Sequence, residues 1–230
     1  MCEEKVHAVA IDGPSGAGKS TLARKAAAEL QYLYVDTGAI YRSIGWYALQ
    51  KKVSLEKADE IAALLPELAL EIQYGEDGLQ HMVVNGRDVT KEIRLPEVSA
   101  SASKVAAVPA VREYLLEMQR KLAREHSVIM DGRDIGTVVL PDAACKIFLT
   151  ASAEVRAERR CKELEERGTP MAYETVLQEM HSRDEQDRTR KTAPLKQAED
   201  AVLLDTSCLD FDGSVAALLK LIKEKIENEA

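Results

Sequence analysis

The run GPSGAGKS, residues 13–20, fits the spacing G-x-x-x-x-G-K-[ST] in full. Glycines at these positions let the chain turn so that successive backbone N–H groups face phosphate oxygens. Lys19 is then placed to reach the β- and γ-phosphates of a nucleoside triphosphate, and Ser20 to offer a hydroxyl to Mg²⁺. A helix starting behind the loop adds its dipole to the same anion. The nucleotide-holding set read from this motif is Gly13, Pro14, Ser15, Gly16, Ala17, Gly18, Lys19, Ser20 and Thr21. The motif specifies a bound triphosphate and its metal. It does not specify a reaction.

A second concentration of charge is SRDEQDRTRK, residues 182–191. It follows Val176, Leu177 and Met180, whose spacing predicts a helix running into the charged stretch. At ~3.6 residues per turn, Arg183, Asp187 and Arg190 share one stripe, while Arg188 and Lys191 fall elsewhere. Such a run is either a solvated face laced with i,i+4 pairs or a wall that holds an anionic substrate. The run alone leaves both readings open.

Three functional classes share the glycine loop. A guanine-nucleotide switch carries N-K-x-D, which is absent. A motor ATPase follows its acidic strand end with a glutamate that places water, but here the segment is SVIMDGRD, with Gly132 after Asp131. A kinase must bring a second phosphate-bearing substrate against the first. That need for extra positive charge gives the arginines outside the loop a purpose.

These residues need a scaffold. Val6–Ile11 reads as a buried strand, Ser20–Leu30 as a helix, Tyr32–Val35 as a strand and Ala39–Lys51 as a helix. Further on, Ser127–Met130, Lys146–Leu149 and Val202–Leu204 read as strands. Val111–Arg124, Ala153–Arg167, Tyr173–Arg188 and Ser214–Ile226 read as helices. The alternation predicts an α/β chain with a central parallel sheet. Residues 68–90 alternate apolar and polar side chains around turns at Gly75–Gly78 and Asn85-Gly86, predicting a small inserted antiparallel sheet. The acidic C-terminal residues read as frayed helix.

The 230 residues suffice for one substantial domain with an inserted lobe, and a net charge of −8 argues against a broad nucleic-acid surface. Cys2, Cys145, Cys161 and Cys208 are dispersed, as are the four histidines, so neither a disulfide framework nor a structural metal is expected. No signal peptide or membrane-spanning run is evident, and the cytoplasm is the expected compartment.

GPSGAGKST, VDTGAIYR (35–42), VNGRDVTKEIR (84–94), DGRDIGTVVLPDA (131–143) and RDEQDRTR (183–190) occur together and in order. In this combination the chain closely resembles the bacterial cytidylate kinases, from about Val6 to Leu221. The resemblance implies a P-loop NTPase three-layer fold and transfer of the γ-phosphoryl group of ATP, with Mg²⁺, to CMP or dCMP in pyrimidine nucleotide metabolism. It implies one domain in three parts: a core (1–36, 107–155 and 170–230), an NMP-binding lobe (37–106) containing the small sheet, and a lid near 156–169. It favours a monomer, with ATP and CMP or dCMP as partners and neither nucleic acid nor membrane.

Carried across by position, the resemblance assigns Ser103, Arg112 and Asp134 to the cytosine. It assigns Arg183 and Asp187 to the sugar, and Arg42, Arg133 and Arg190 to the acceptor phosphate. Thr37 stands where relatives often have serine and keeps the hydroxyl. Arg159 and Arg160 are the lid candidates for the transferring phosphoryl group, and Arg94, Arg156 and Arg167 are either recruited too or plain surface. Asp184, Arg188 and Lys191 are expected on the solvated side of the charged helix. Catalysis then rests on Lys19, Arg133, Arg159, Arg160 and Arg190. Asp131 either orders Mg²⁺-bound water or caps a strand end, and Asp36 is open in the same way. Acceptors such as UMP or a sugar-like alcohol, and a regulatory module without transfer activity, are the competing readings.

Overall fold

The computed structural model describes residues 6–76, 78–166 and 168–227. Cys2, the turn residue Asp77, the candidate Arg167 and the tail 228–230 lie outside the described residues. The strands are β1 (Ala8–Asp12), β2 (Leu33–Asp36), β3 (Leu70–Tyr74), β4 (Gln80–Val84), β5 (Arg87–Asp88), β6 (Val128–Gly132), β7 (Cys145–Thr150) and β8 (Val202–Asp205). The helices are α1 (Lys19–Leu30), α2 (Thr37–Gln50), α3 (Ala58–Leu64), α4 (Pro96–Ala106), α5 (Pro109–Glu125), α6 (Ala153–Glu166), α7 (Tyr173–Thr189) and α8 (Phe211–Glu227).

The chain is α/β, as its alternation predicts. A five-stranded parallel sheet has the order β2-β6-β1-β7-β8, and β3-β4-β5 form the small separate sheet expected within 68–90. Strand β6, VIMDG, is buried at every position, as a parallel strand covered on both faces must be. Two boundaries move for local reasons. Val6 is 43% exposed and stays outside β1. Helix α2 opens two residues earlier than its apolar pattern suggests, because the Asp36 carboxylate accepts the Ala39 N–H at 2.8 Å and caps the first turn. Helix α4 is built from small residues, and they let it close on α2: a Cβ added to Gly45 would stand 1.8 Å from Ser101 Oγ.

By compactness the chain divides into two units, Met1–Leu33 with His126–Ala230, and Tyr34–Glu125. In the first, α1 packs on β1 and β6 and against α8. There α6 and α7 form a hairpin with its own small core of Ala157, Leu164, Val176 and Met180. In the second, α2 packs on α4 and β4, with α3 and α4 against α5. Among the described residues, no helix is long and apolar enough to cross a membrane.

Candidate active site

In the first unit the charged residues gather where parallel strands end, the edge at which open α/β sheets place their ligands. The register pairs Ile11 with Asp131 and Asp12 with Gly132. The glycine loop leaving β1 therefore starts beside the DGRD segment leaving β6. Gly13 has φ 151, and a Cβ there would stand 1.9 Å from the Leu149 carbonyl oxygen, so only glycine lets the loop leave against β7. Lys19 opens α1 and is 5% exposed. Its Nζ folds back to donate to Pro14 O at 2.7 Å. Burial, reinforced by the Arg133 charge, pushes its pKa down to about 7. One residue on, Ser20 Oγ donates to Asp131 Oδ2 at 2.9 Å.

Helix α7 faces this edge with a mixed line of charge. Arg133 Nε donates to Asp187 Oδ2 at 2.7 Å. Arg190, just past the end of α7, reaches Asp134 Oδ1 at 3.2 Å through Nη2 and Asp187 Oδ1 at 4.0 Å through Nη1. Burial alone would raise the Asp187 pKa, but Arg133 outweighs it, with help from the Arg183 and Arg190 charges, and holds it below the usual carboxylate range. Arg183 is half-buried, and Arg188 and Lys191 are exposed.

Asp184 corrects the sequence expectation. It is 5% exposed, not solvated. The inward stripe of α7 is Val176, Met180, Asp184 and Asp187, so Asp184 continues the apolar periodicity one turn beyond Met180. Its partner is Arg156, itself 4% exposed and no surface residue. Arg156 Nη2 donates to Asp184 Oδ2 at 2.6 Å and Nη1 to Asp184 Oδ1 at 3.1 Å. The same guanidinium donates to Ser15 O in the glycine loop and to Ala151 O after β7, both at 2.9 Å. One arginine thus fastens the loop, a strand end and α7.

The two lid candidates differ. Arg159 lies against the loop, donating to Thr206 O at 2.9 Å, Thr206 Oγ1 at 3.2 Å and Ala17 O at 3.4 Å. Arg160 pairs along its own helix with Glu163 at 2.7 Å.

The second unit carries the other assigned residues. Thr37 is buried in the first turn of α2. Arg42, one turn on, donates to Asp36 Oδ2 at 2.9 Å. Burial would raise Asp36, but the Arg42 charge, the Ala39 N–H and the Arg94 charge hold it low. Asp36 is therefore both helix cap and arginine anchor. Arg112, near the start of α5, is 8% exposed. Its guanidinium lies 5.6 Å from the Tyr41 ring centroid and donates to Ala106 O at 3.3 Å. Ser103 is half-buried on α4, one turn before Ala106. Ser103 and Arg112 belong to this unit, whereas Asp134 belongs to the other.

Sequence reasoning missed Asp12, Arg156 as a structural clamp, and Thr206. Asp12 had one legible signal, a charge closing a strand that is otherwise apolar. Thr206 had none, because its role depends on β7 and β8 being neighbours.

Comparison with known proteins gives a consistent result. The family model described as cytidylate kinase matches residues 9–224. A cytidylate kinase of Carboxydothermus hydrogenoformans is 50% identical over 94% of this chain and 97% of its own. One from Caldicellulosiruptor bescii is 45% identical over 96% of this chain and 97% of its own. Among solved structures, an uncharacterized protein from Eubacterium ventriosum shares the fold, with a TM-score of 0.52 and 13% identity over 96% of this chain and 98% of its own.

Proposed function

Because the chain belongs to the cytidylate kinase family, ATP-dependent phosphotransferases acting on CMP and dCMP, we propose how its residues divide that reaction. Residues 13–21 hold ATP. Lys19, Arg133, Arg190 and the lid residues Arg159 and Arg160 offset the charge that develops on the transferring group. Arg42 and Thr37 serve the acceptor phosphate with Arg133 and Arg190. Arg183 and Asp187 serve the sugar, and Ser103, Arg112 and Asp134 serve the cytosine. Residues 37–106 form the acceptor lobe and 156–169 the lid, and the chain works as a cytoplasmic monomer.

An oxygen of the acceptor phosphate attacks the γ-phosphorus in line. The bond from that phosphorus to the β–γ bridging oxygen breaks, and ADP leaves. The chain supplies no covalent nucleophile; it supplies position and charge. The adjoining Ser20 hydroxyl and Asp131 carboxylate are hard oxygen donors of the kind that suits Mg²⁺, and they are the residues that would hold it. When bound with the triphosphate, the ion draws negative charge from the transferring group.

The observation that carries this reading is the Arg133–Asp187–Arg190–Asp134 set, held on the same sheet edge as Lys19. ADP formation from Mg²⁺–ATP, measured with a panel of nucleoside monophosphates, tests it. Stimulation chiefly by CMP and dCMP is expected, and no stimulation by any of them would end the reading. Asp134→Ala is expected to narrow the preference for CMP over UMP, and an unchanged preference would remove Asp134 from base recognition.

A further inference from the structure

Asp12 closes β1 and has no part in the roles above. Its side chain is 4% exposed. Its two oxygens are shared between two donors: Oδ1 accepts the Ile135 N–H at 2.7 Å and Oδ2 the Gly136 N–H at 2.8 Å. These are the leading N–H groups of the π-helical turn Ile135–Val139, which Leu140 closes by donating to Ile135 O at 2.7 Å. The first N–H groups of any such turn lack a partner within it. Asp134, at the usual capping position, gives no side-chain cap, so the cap comes from a residue 123 positions away.

The turn also packs against Lys146 at Gly136. A Cβ added to Gly136 would stand 3.2 Å from Lys146 Cδ and 3.4 Å from Asp12 Oδ2. Lys146 Nζ donates to Pro141 O beyond the turn, and to Asp200 Oδ2 at 2.7 Å. The turn is thus closely packed at a glycine by two side chains, Asp12 and Lys146. Arg133 and Asp134 come immediately before it and leave β6 in whatever direction it sets.

We propose that Asp12 is a positioning residue for the acceptor nucleotide, fixing the direction of Arg133 and Asp134 by capping the turn that follows them. An uncharged side chain would complete β1 without burying a carboxylate. The paired donors explain why an acid stands there, since each carboxylate oxygen meets one of them. The inference rests on the assignment of Arg133 and Asp134 to the acceptor.

Asp12→Asn keeps the shape and turns one acceptor into an amide that meets a donor. Steady-state kinetics with each substrate varied is expected to show the KM for CMP raised and kcat lowered, about 10- to 10²-fold together in kcat/KM. The KM for ATP should stay within about threefold, since the altered hydrogen bonds are to Ile135 and Gly136, in the turn that follows DGRD. Unchanged CMP kinetics would overturn the proposal, as would equal losses for both substrates, which mark general damage to the loop or the fold. Should that variant fail to fold, Gly136→Ala disturbs the same contact from the other partner. It predicts the same CMP-selective loss, and normal CMP kinetics in it would overturn the proposal. Arg133→Ala measured alongside separates the two layers. If it leaves CMP kinetics intact, the acceptor assignment itself fails. If it is impaired while Asp12→Asn is normal, only the role of Asp12 falls.

Discussion

Arg133 and Arg190 meet at Asp187, and that shared carboxylate keeps two cations close together before any substrate arrives. Each guanidinium is a directional, permanently charged donor. Arg133→Ala and Arg190→Ala are each expected to lower kcat/KM for CMP about 10²-fold, ~3 kcal/mol of transition-state stabilisation. Near-normal steady-state values for both would remove them from the acceptor phosphate. The acids of the first unit respond to pH in opposite senses. Asp187 is held low, so its contribution is present above the ordinary carboxylate pKa and is lost as pH falls through its folded value. Asp12 is raised from 3.8 to about 6, by burial first and the Asp134 charge in addition, against its two backbone bonds and Lys19. Between those values the folded chain binds more protons than the unfolded one, so this group makes stability fall as pH rises from about 4 to 6. Denaturant titrations across that window should show a flatter pH dependence in Asp12→Asn. An unaltered slope would mean that Asp12 does not titrate there.

Helix α7 is the element through which the first unit's charges communicate. Its inward stripe meets the hairpin core at Val176 and Met180, Arg156 at Asp184, and Arg133 at Asp187. Breaking one side of a buried pair strands the other charge, whereas replacing both with apolar groups does not. Asp184→Asn or Arg156→Met should therefore cost ~3 kcal/mol in chemical denaturation, and Arg156→Met with Asp184→Leu should recover much of it. Additive losses in the double variant would show that Arg156 acts mainly through its carbonyl partners, Ser15 and Ala151. The short π-helical turn after DGRD is the second governing element. It is held from outside, by Asp12 and Lys146, because five residues cannot satisfy their own ends.

At the scale of the whole molecule, an acidic chain of net charge −8 takes two anionic nucleotides. Long-range charge works against both, so local donors must decide binding. Mass action then gives a direct test of the assigned nucleotide loop. Mg²⁺–ATP at about a hundred times its Kd should stabilise the folded chain by ~2.7 kcal/mol, a Tm rise of roughly 5–10 °C. Chelating the metal should shrink that rise. An identical shift with and without Mg²⁺ would remove Ser20 and Asp131 from metal binding.

Much of this was legible from spacing alone. The glycine loop announced itself because phosphate binding needs a fixed local backbone. The strand–helix alternation gave the parallel sheet, and the turn signals within 68–90 gave the small one. The charged stripe of α7 followed from helical periodicity, although extending the apolar stripe past Met180 would have drawn Asp184 inward as well. Which charges pair with which was decided only by the tertiary structure. Asp12 to Gly136, Arg156 to Asp184 and Arg133 to Asp187 join residues 124, 28 and 54 positions apart. Periodicity tells which way a side chain faces on its own element. A buried charge is settled by whatever the sheet order and helix packing bring opposite it, and that is a property of the assembled chain.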